Sequence, residues 1–313
     1  MKKFIHNILL FAIIFVSVFL VIIIANYMLV KATEIIIPKH KKVLILGDSN
    51  SECAINDSIF NSVVNLSSSS DSYYYSYLKL KKIIDENQID TLLLSFSPHN
   101  IFDNGWLFNE SHIYSRFKLY YPLMNYYDFK FLTKNKPIAV FKAVFAVPKQ
   151  TMTNFFNVLQ NKPIRYGGFK LLNRNILSEV QNKLIKGEKL PFFRIPEKLT
   201  VSEYEVLYLK KIISLCKNKK IKLILINLPK RKELLNYPRY GVKKFNNFYE
   251  NYLSDTEFFD FSEIKLPDNY YADFVHLNAK GSAFFSKLLK KQGFKNLKKK
   301  FIHSISNQKK QYL

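Results

Sequence analysis

From Ile8 to Val30 the chain is apolar at almost every position, interrupted only by Ser17, Asn26 and Tyr27. As a helix this run would be about 34 Å long at ~1.5 Å per residue, enough to cross the ~30 Å hydrocarbon layer of a bilayer. A buried core helix rarely stays apolar on every face for so many turns. A cleaved secretory signal has a shorter apolar region that ends in a small-x-small site, and Val30-Lys31-Ala32 is a poor one. Residues 1–31 therefore read as a retained transmembrane signal anchor. Lys2 and Lys3 precede the run, so the positive-inside tendency places the N-terminus in the cytoplasm and the chain after about residue 31 on the extracytoplasmic side of the cytoplasmic membrane. Lys31, Lys39, Lys41 and Lys42 pull the other way.

After a linker at 32–42 the pattern changes to short apolar runs separated by helical ones. Val43-Leu44-Ile45-Leu46 has strand length and ends in Gly47-Asp48-Ser49. Residues 62–66 form a second strand candidate, followed by a polar loop at 67–72. Residues 73–87 carry Tyr77, Leu80, Ile83 and Ile84 at helical spacing, and residues 91–96 give a third strand before the loop Ser97-Pro98-His99-Asn100. About 101–200 the rhythm breaks into a Tyr- and Phe-rich insertion or cap, with a turn signal at Tyr166-Gly167-Gly168 and prolines at Pro191 and Pro196. It resumes with a helix at 202–217, a strand at 222–227, a helix at 241–254, a strand at 258–261 and a last helix at 280–291. A basic tail follows at 293–313. Strands alternating with helices predict a mainly parallel sheet covered on both faces, with functional loops at the carboxyl ends of its strands. The expected domain covers residues 43–292.

Composition narrows this little. Hydrophobic residues are 48% and aromatics 16% of 313, which excludes a disordered polymer. The net charge of +24 suits nucleic acid, anionic lipid or an acidic polymer. No zinc-knuckle, RNA-binding or helix-turn-helix signature accompanies it, so nucleic acid is not an expected partner, and a lysine-biased surface beside an anionic membrane accounts for the charge. Cys53 and Cys216 are too few for a disulfide framework and lack ligand spacing. No metal or cofactor is expected.

Chemistry concentrates at two places. Ser49 follows Gly47 and Asp48 directly after a strand, on a sharp turn at the rim of the sheet. A serine hydroxyl is a weak nucleophile until a positioned base takes its proton. Asp273-Phe274-Val275-His276 supplies an acid and an imidazole three residues apart, a spacing that lets the carboxylate orient one ring nitrogen while the other faces the serine. Alone, the first motif is as easily a plain turn and the second a helix cap with a solvated histidine. Their joint order, each beside the right element, points to a Ser49–His276–Asp273 triad.

These two blocks resemble those of the SGNH (GDSL-like) hydrolase superfamily, with Gly-Asp-Ser after the first strand and Asp-x-x-His near the C-terminus. Here the last block continues as Leu277-Asn278-x-x-Gly281 into a helix. The resemblance implies a flavodoxin-like three-layer α/β/α sandwich and the hydrolysis or transfer of an ester-linked acyl group. It also implies an oxyanion hole made by the backbone of Ser49, the backbone at Ser70 and the side chain of Asn100. Both middle blocks depart from the family pattern. Ser70 stands where the family has glycine, and Ser97-Pro98-His99-Asn100 replaces Gly-x-Asn, so Asn100 is offset by one residue and His99 is its rival. A capping role for Asn100 stays open, Tyr73 to Tyr75 read as packing, and Asp71 and His112 have weaker claims.

Membrane-tethered members of the superfamily imply O-acyl transfer or esterase activity, on acetyl groups above all, at a cell-envelope polysaccharide. A transferase with one span would need a multi-spanning partner to carry the acyl donor across the membrane. The alternative is a catalytically degenerate domain that binds glycan or partner proteins during envelope assembly.

Overall fold

The N-terminal apolar run folds as a single helix, α1 (Lys2–Ala32), closed at its C-terminus by Thr33, whose hydroxyl and N–H both donate to the Leu29 carbonyl. This computed structural model describes residues 1–102, 107–175, 199–231, 239–273 and 275–296. The Pro191 and Pro196 stretches and the tail beyond residue 296 lie outside them. The chain packs as two units, one of Met1–Ile36, Leu78–Asn87 and Gly105–Arg165, the other of Ile37–Tyr77, Gln88–Asn104 and Tyr166–Leu313.

In the first unit α1 is long and apolar enough to cross a membrane. Phe19, Ile22, Ile23, Asn26, Leu29 and Val30 line one of its faces at three- and four-residue spacing and are buried or half-buried. Against that face lie the 3₁₀ turn Tyr121–Leu123 and a helix, α8 (Val147–Leu159). Asn26 is fully buried, donating to the Tyr121 hydroxyl at 2.8 Å and accepting from Asn154 Nδ2 at 2.9 Å. The Tyr121 hydroxyl donates in turn to the Ile23 carbonyl, so the polar interruption of the apolar run is satisfied by the protein. The unit also holds α5 (Glu110–Tyr120), α6 (Tyr126–Asn135), α7 (Pro137–Val144) and the second half of α3 (Tyr73–Glu86). Asn109 caps α5, and Asn125 with Asp128 forms a capping box on α6.

The second unit contains a five-stranded parallel sheet of β1 (Val43–Leu46), β2 (Val63–Asn65), β3 (Thr91–Ser95), β4 (Lys222–Asn227) and β5 (Glu257–Asp260), in the order β2-β1-β3-β4-β5. That is the flavodoxin-like order, with the switch point between β1 and β3. Both faces are covered, as a parallel sheet requires. On one, Ile45, Leu93, Ile224, Ile226 and Phe259 pack with Phe285 and Leu289 of α11 (Ala279–Asn296) and with the end of α2 (Ser49–Ala54). On the other, Phe96 stacks on Phe245 and Phe258 on Tyr249, both from α10 (Arg239–Tyr252). The helix α9 (Glu203–Asn218) begins at its N-cap Ser202, and α3 (Tyr73–Glu86) starts with three buried tyrosines.

Two local expectations change. Ser97-Pro98-His99-Asn100 is not an open loop: Ser97 is the N-cap of α4 (Pro98–Ile101), and Pro98 sits in the first turn, where its fixed φ and missing N–H are tolerated. The insertion is pinned at its base by an antiparallel bridge between Phe102 and Val201, with the Ser202 N–H donating to the Ile101 carbonyl at 2.8 Å. Its last part, from Tyr166, belongs to the unit that holds the sheet.

Candidate active site

The carboxyl end of β1 sets the position of Ser49. A Cβ added to Gly47 would lie 2.4 Å from the Ser95 Cβ and 2.5 Å from the Ser51 Oγ, so only glycine lets β1 leave the sheet this close to β3. Asp48 then caps α2 by accepting from the Asn50 N–H, and Ser49 is the first residue of that helix.

The other half comes from the turn before α11. Tyr271 and Leu277 form an antiparallel bridge, and the Ala272 N–H donates to the His276 carbonyl, which closes the turn around Asp273 and His276. Asn278 holds this turn to the helix. Its Oδ1 accepts from the N–H groups of Lys280 and Gly281, while its Nδ2 donates to the Asn269 carbonyl. Gly281 is needed because a Cβ there would lie 2.1 Å from the Tyr270 carbonyl oxygen.

The structure brings Ser49, His276 and Asp273 together. His276 Nε2 is 2.8 Å from Ser49 Oγ, and His276 Nδ1 is 2.9 Å from each Asp273 oxygen. Asp273 also accepts from the N–H groups of Val275 and His276. Burial pushes its carboxyl up, yet the His276 ring and these N–H groups outweigh burial and hold it at about 2. With Asp273 ionised, Nδ1–H donates to it and leaves Nε2 to take the serine proton.

The two remaining expected oxyanion donors are placed differently. Ser70 is exposed at φ +63°, in the left-handed region that glycine favours. The Asn100 amide donates to Asp48 Oδ2 at 2.9 Å, and its Oδ1 accepts from the Ser97 hydroxyl at 2.7 Å. The same Asp48 oxygen meets His99 Nε2 at 2.5 Å, and His99 Nδ1 meets the Ser97 hydroxyl at 2.8 Å. Asn100 and His99 thus converge on the carboxylate next to Ser49. Burial acts to raise Asp48, but His99, Asn100 and Lys230 hold it well below the usual carboxylate range. Burial lowers Lys230 while Asp48 and Asp260 oppose that shift.

Sequence reasoning did not find Asp48, Lys230 or Arg174. Arg174 donates to Asp273 Oδ2 at 3.2 Å. It lies on an extended strap that ties the site's loops together: the Gly168 N–H donates to the Ser67 carbonyl, the Lys170 N–H to the Glu52 carbonyl, and the Ala279 N–H to the Leu172 carbonyl. The glycine pair was the available signal. Gly167 packs so closely on the β2 exit that an added Cβ would lie 2.4 Å from the Ser67 oxygen. His112 and Asp71 are buried and take no part in the triad's hydrogen bonds, and among the described residues no cluster suits a metal.

A family model that carries no description matches residues 187–298. No curated protein matches. Solved structures similar to this chain include a GDSL-like lipase from Bacteroides thetaiotaomicron, at 12% identity over 85% of this chain and 96% of that one, with a TM-score of 0.37. Another is a protein from Streptococcus pneumonia provisionally named a platelet activating factor, at 13% identity over 91% and 97%, with a TM-score of 0.38. A third, from Bacteroides fragilis and provisionally named an acylhydrolase, has 12% identity over 83% and 92% and a TM-score of 0.37. Likeness at this level leaves the site's own geometry as the basis for function.

Proposed function

We propose that this chain is a membrane-anchored serine esterase or O-acyltransferase of the SGNH type, acting on O-acyl groups, acetyl above all, of a cell-envelope polysaccharide. The observation that carries the chemistry is the Ser49–His276–Asp273 chain of hydrogen bonds at 2.8 and 2.9 Å. Ser49 Oγ attacks the ester carbonyl carbon as His276 Nε2 takes its proton. The tetrahedral adduct collapses with His276 protonating the departing alcohol, which leaves an acyl-Ser49 ester. Water or a sugar hydroxyl, deprotonated by His276, then attacks that ester and releases the acid or the acylated sugar. The oxyanion donors in this reading are the backbone N–H groups of Ser49 and Ser70, with Asn100 the third candidate.

The envelope substrate rests on the anchor: α1 is long and apolar enough to span a bilayer, and Lys2 and Lys3 precede its apolar run. In this reading the domain faces the extracytoplasmic side, and a multi-spanning partner delivers the acyl donor if transfer is the reaction. The degenerate-domain alternative draws on one observation, the engagement of the Asn100 amide by Asp48.

Labelling of the full chain in detergent with a fluorophosphonate probe separates the two. Catalysis requires labelling of the wild type that is lost in Ser49→Ala and falls by about 10⁴-fold or more in His276→Ala. A folded wild type that does not react sinks the esterase reading and leaves the binding one.

A further inference from the structure

The first unit carries a surface whose polarity is reversed. On α8, Met152, Phe155, Phe156 and Leu159 follow the i, i+3, i+4, i+7 spacing of a single helical stripe, and all four are exposed. Asn154 and Val147 of the same helix are buried. On α7, Phe141 and Phe145 repeat the pattern one turn apart, exposed while Ala139, Val140 and Ala143 are buried. A water-facing surface of a monomer rarely shows so much contiguous apolar area.

The α7 part of this surface is continuous with α1. Ring centroids step from Phe11 to Phe15 at 6.4 Å, from Phe15 to Phe19 at 6.3 Å, from Phe19 to Phe145 at 5.5 Å and from Phe145 to Phe141 at 5.3 Å. Phe19 lies in the middle of the apolar run, so whatever medium surrounds that part of α1 also reaches Phe145. Lysines punctuate the same helices. Lys142 and Lys149 are exposed beside the phenylalanines, and on α6 Lys130 lies 5.7 Å from the centroid of the exposed Tyr126 ring. Long basic side chains among bulky apolar residues let their stems lie in the apolar layer while their charges extend toward anionic headgroups and water.

We infer that α7 and α8 form a platform whose exposed apolar side chains lie against the acyl chains of one leaflet of an anionic phospholipid bilayer alongside α1. The platform rests on the reading of α1 as a membrane span. It adds a second, broad attachment that fixes the rotation of the first unit about α1, since a lone helix leaves that rotation free.

Single-tryptophan variants of the full chain test this. Trp106, the one native tryptophan, is first replaced by phenylalanine. Ile14→Trp, Phe145→Trp and Phe155→Trp are then each reconstituted in vesicles of phosphatidylglycerol and phosphatidylcholine with brominated acyl chains. Emission lost to the bromines and shielded from aqueous acrylamide at all three positions is the expected result. Quenching by bromines at position 14 alone, with acrylamide reaching 145 and 155, overturns the platform and leaves the anchor standing. Protection of 145 and 155 from both quenchers means a second copy of the chain covers the face, which overturns it equally. No bromine quenching at position 14 removes the span and the platform with it.

Discussion

Ser70 holds a φ of +63° that glycine reaches freely and that costs other residues about 1 kcal/mol or more. Glycine would remove this strain but bring more chain entropy in the unfolded state, an offset of about 0.5–1 kcal/mol. Ser70→Gly is therefore expected to leave thermal stability within about 1 kcal/mol of wild type and fluorophosphonate labelling as fast or faster; a large fall in labelling would assign a role to the Ser70 side chain. Asp273 gives a signed prediction. Its carboxyl is depressed to about 2, below the ~3.9 of an unfolded aspartate, so its stabilisation is complete above the unfolded value and lost as pH falls through the folded one. Urea midpoints measured from about pH 5 to pH 2 should fall less steeply in Asp273→Asn than in wild type. The hydrogen-bonded grouping of Ser49, His276 and Asp273 was legible because each lies in a short contiguous motif. The Asp48–His99 contact was not: both positions stand in the motifs, but the sequence offers His99 only as a rival of Asn100 for the oxyanion, and nothing in it pairs His99 with Asp48.

At the scale of elements, the turn that carries Asp273 and His276 depends on Gly281. In an exposed helix, glycine to alanine stabilises by about 1 kcal/mol. Here the added Cβ would lie 2.1 Å from a backbone oxygen, and overpacking of that kind costs about 1–3 kcal/mol. Gly281→Ala should lower the melting temperature and slow labelling of Ser49, because the carbonyl that must move belongs to the Tyr270 end of the turn; a raised melting temperature would show that the turn yields without cost. The sheet was legible from apolar runs of strand length, and its longer helices α3, α9, α10 and α11 were predicted to within about five residues at their ends, whereas the short α2 and α4 were read as a turn and a loop. The helices of the insertion were not resolved. They are short, α5 and α6 begin at asparagine caps while α7 and α8 have no side-chain cap, and α7 and α8 present apolar residues on exposed and buried faces alike, so no single period dominates.

For the whole molecule, a charge of +24 and the apolar α1 predict different attachments. At about 1 M salt the screening length falls to ~3 Å and electrostatic adhesion to anionic lipid or nucleic acid is lost. The full chain should remain in the membrane fraction under that wash and leave only with detergent. Release by salt would make the association electrostatic and α1 something other than a span.

The hydrogen bond between Ser49 and His276 joins residues 227 positions apart. Chains emerge from the ribosome N-terminal end first and fold as they emerge. The serine is made early, and β5 and the turn before α11 must follow before its hydrogen-bond partner exists. In the proposed esterase reading, Ser49 has no base until residue 276 has been made, and the nascent protein is expected to pass esters without reacting with them.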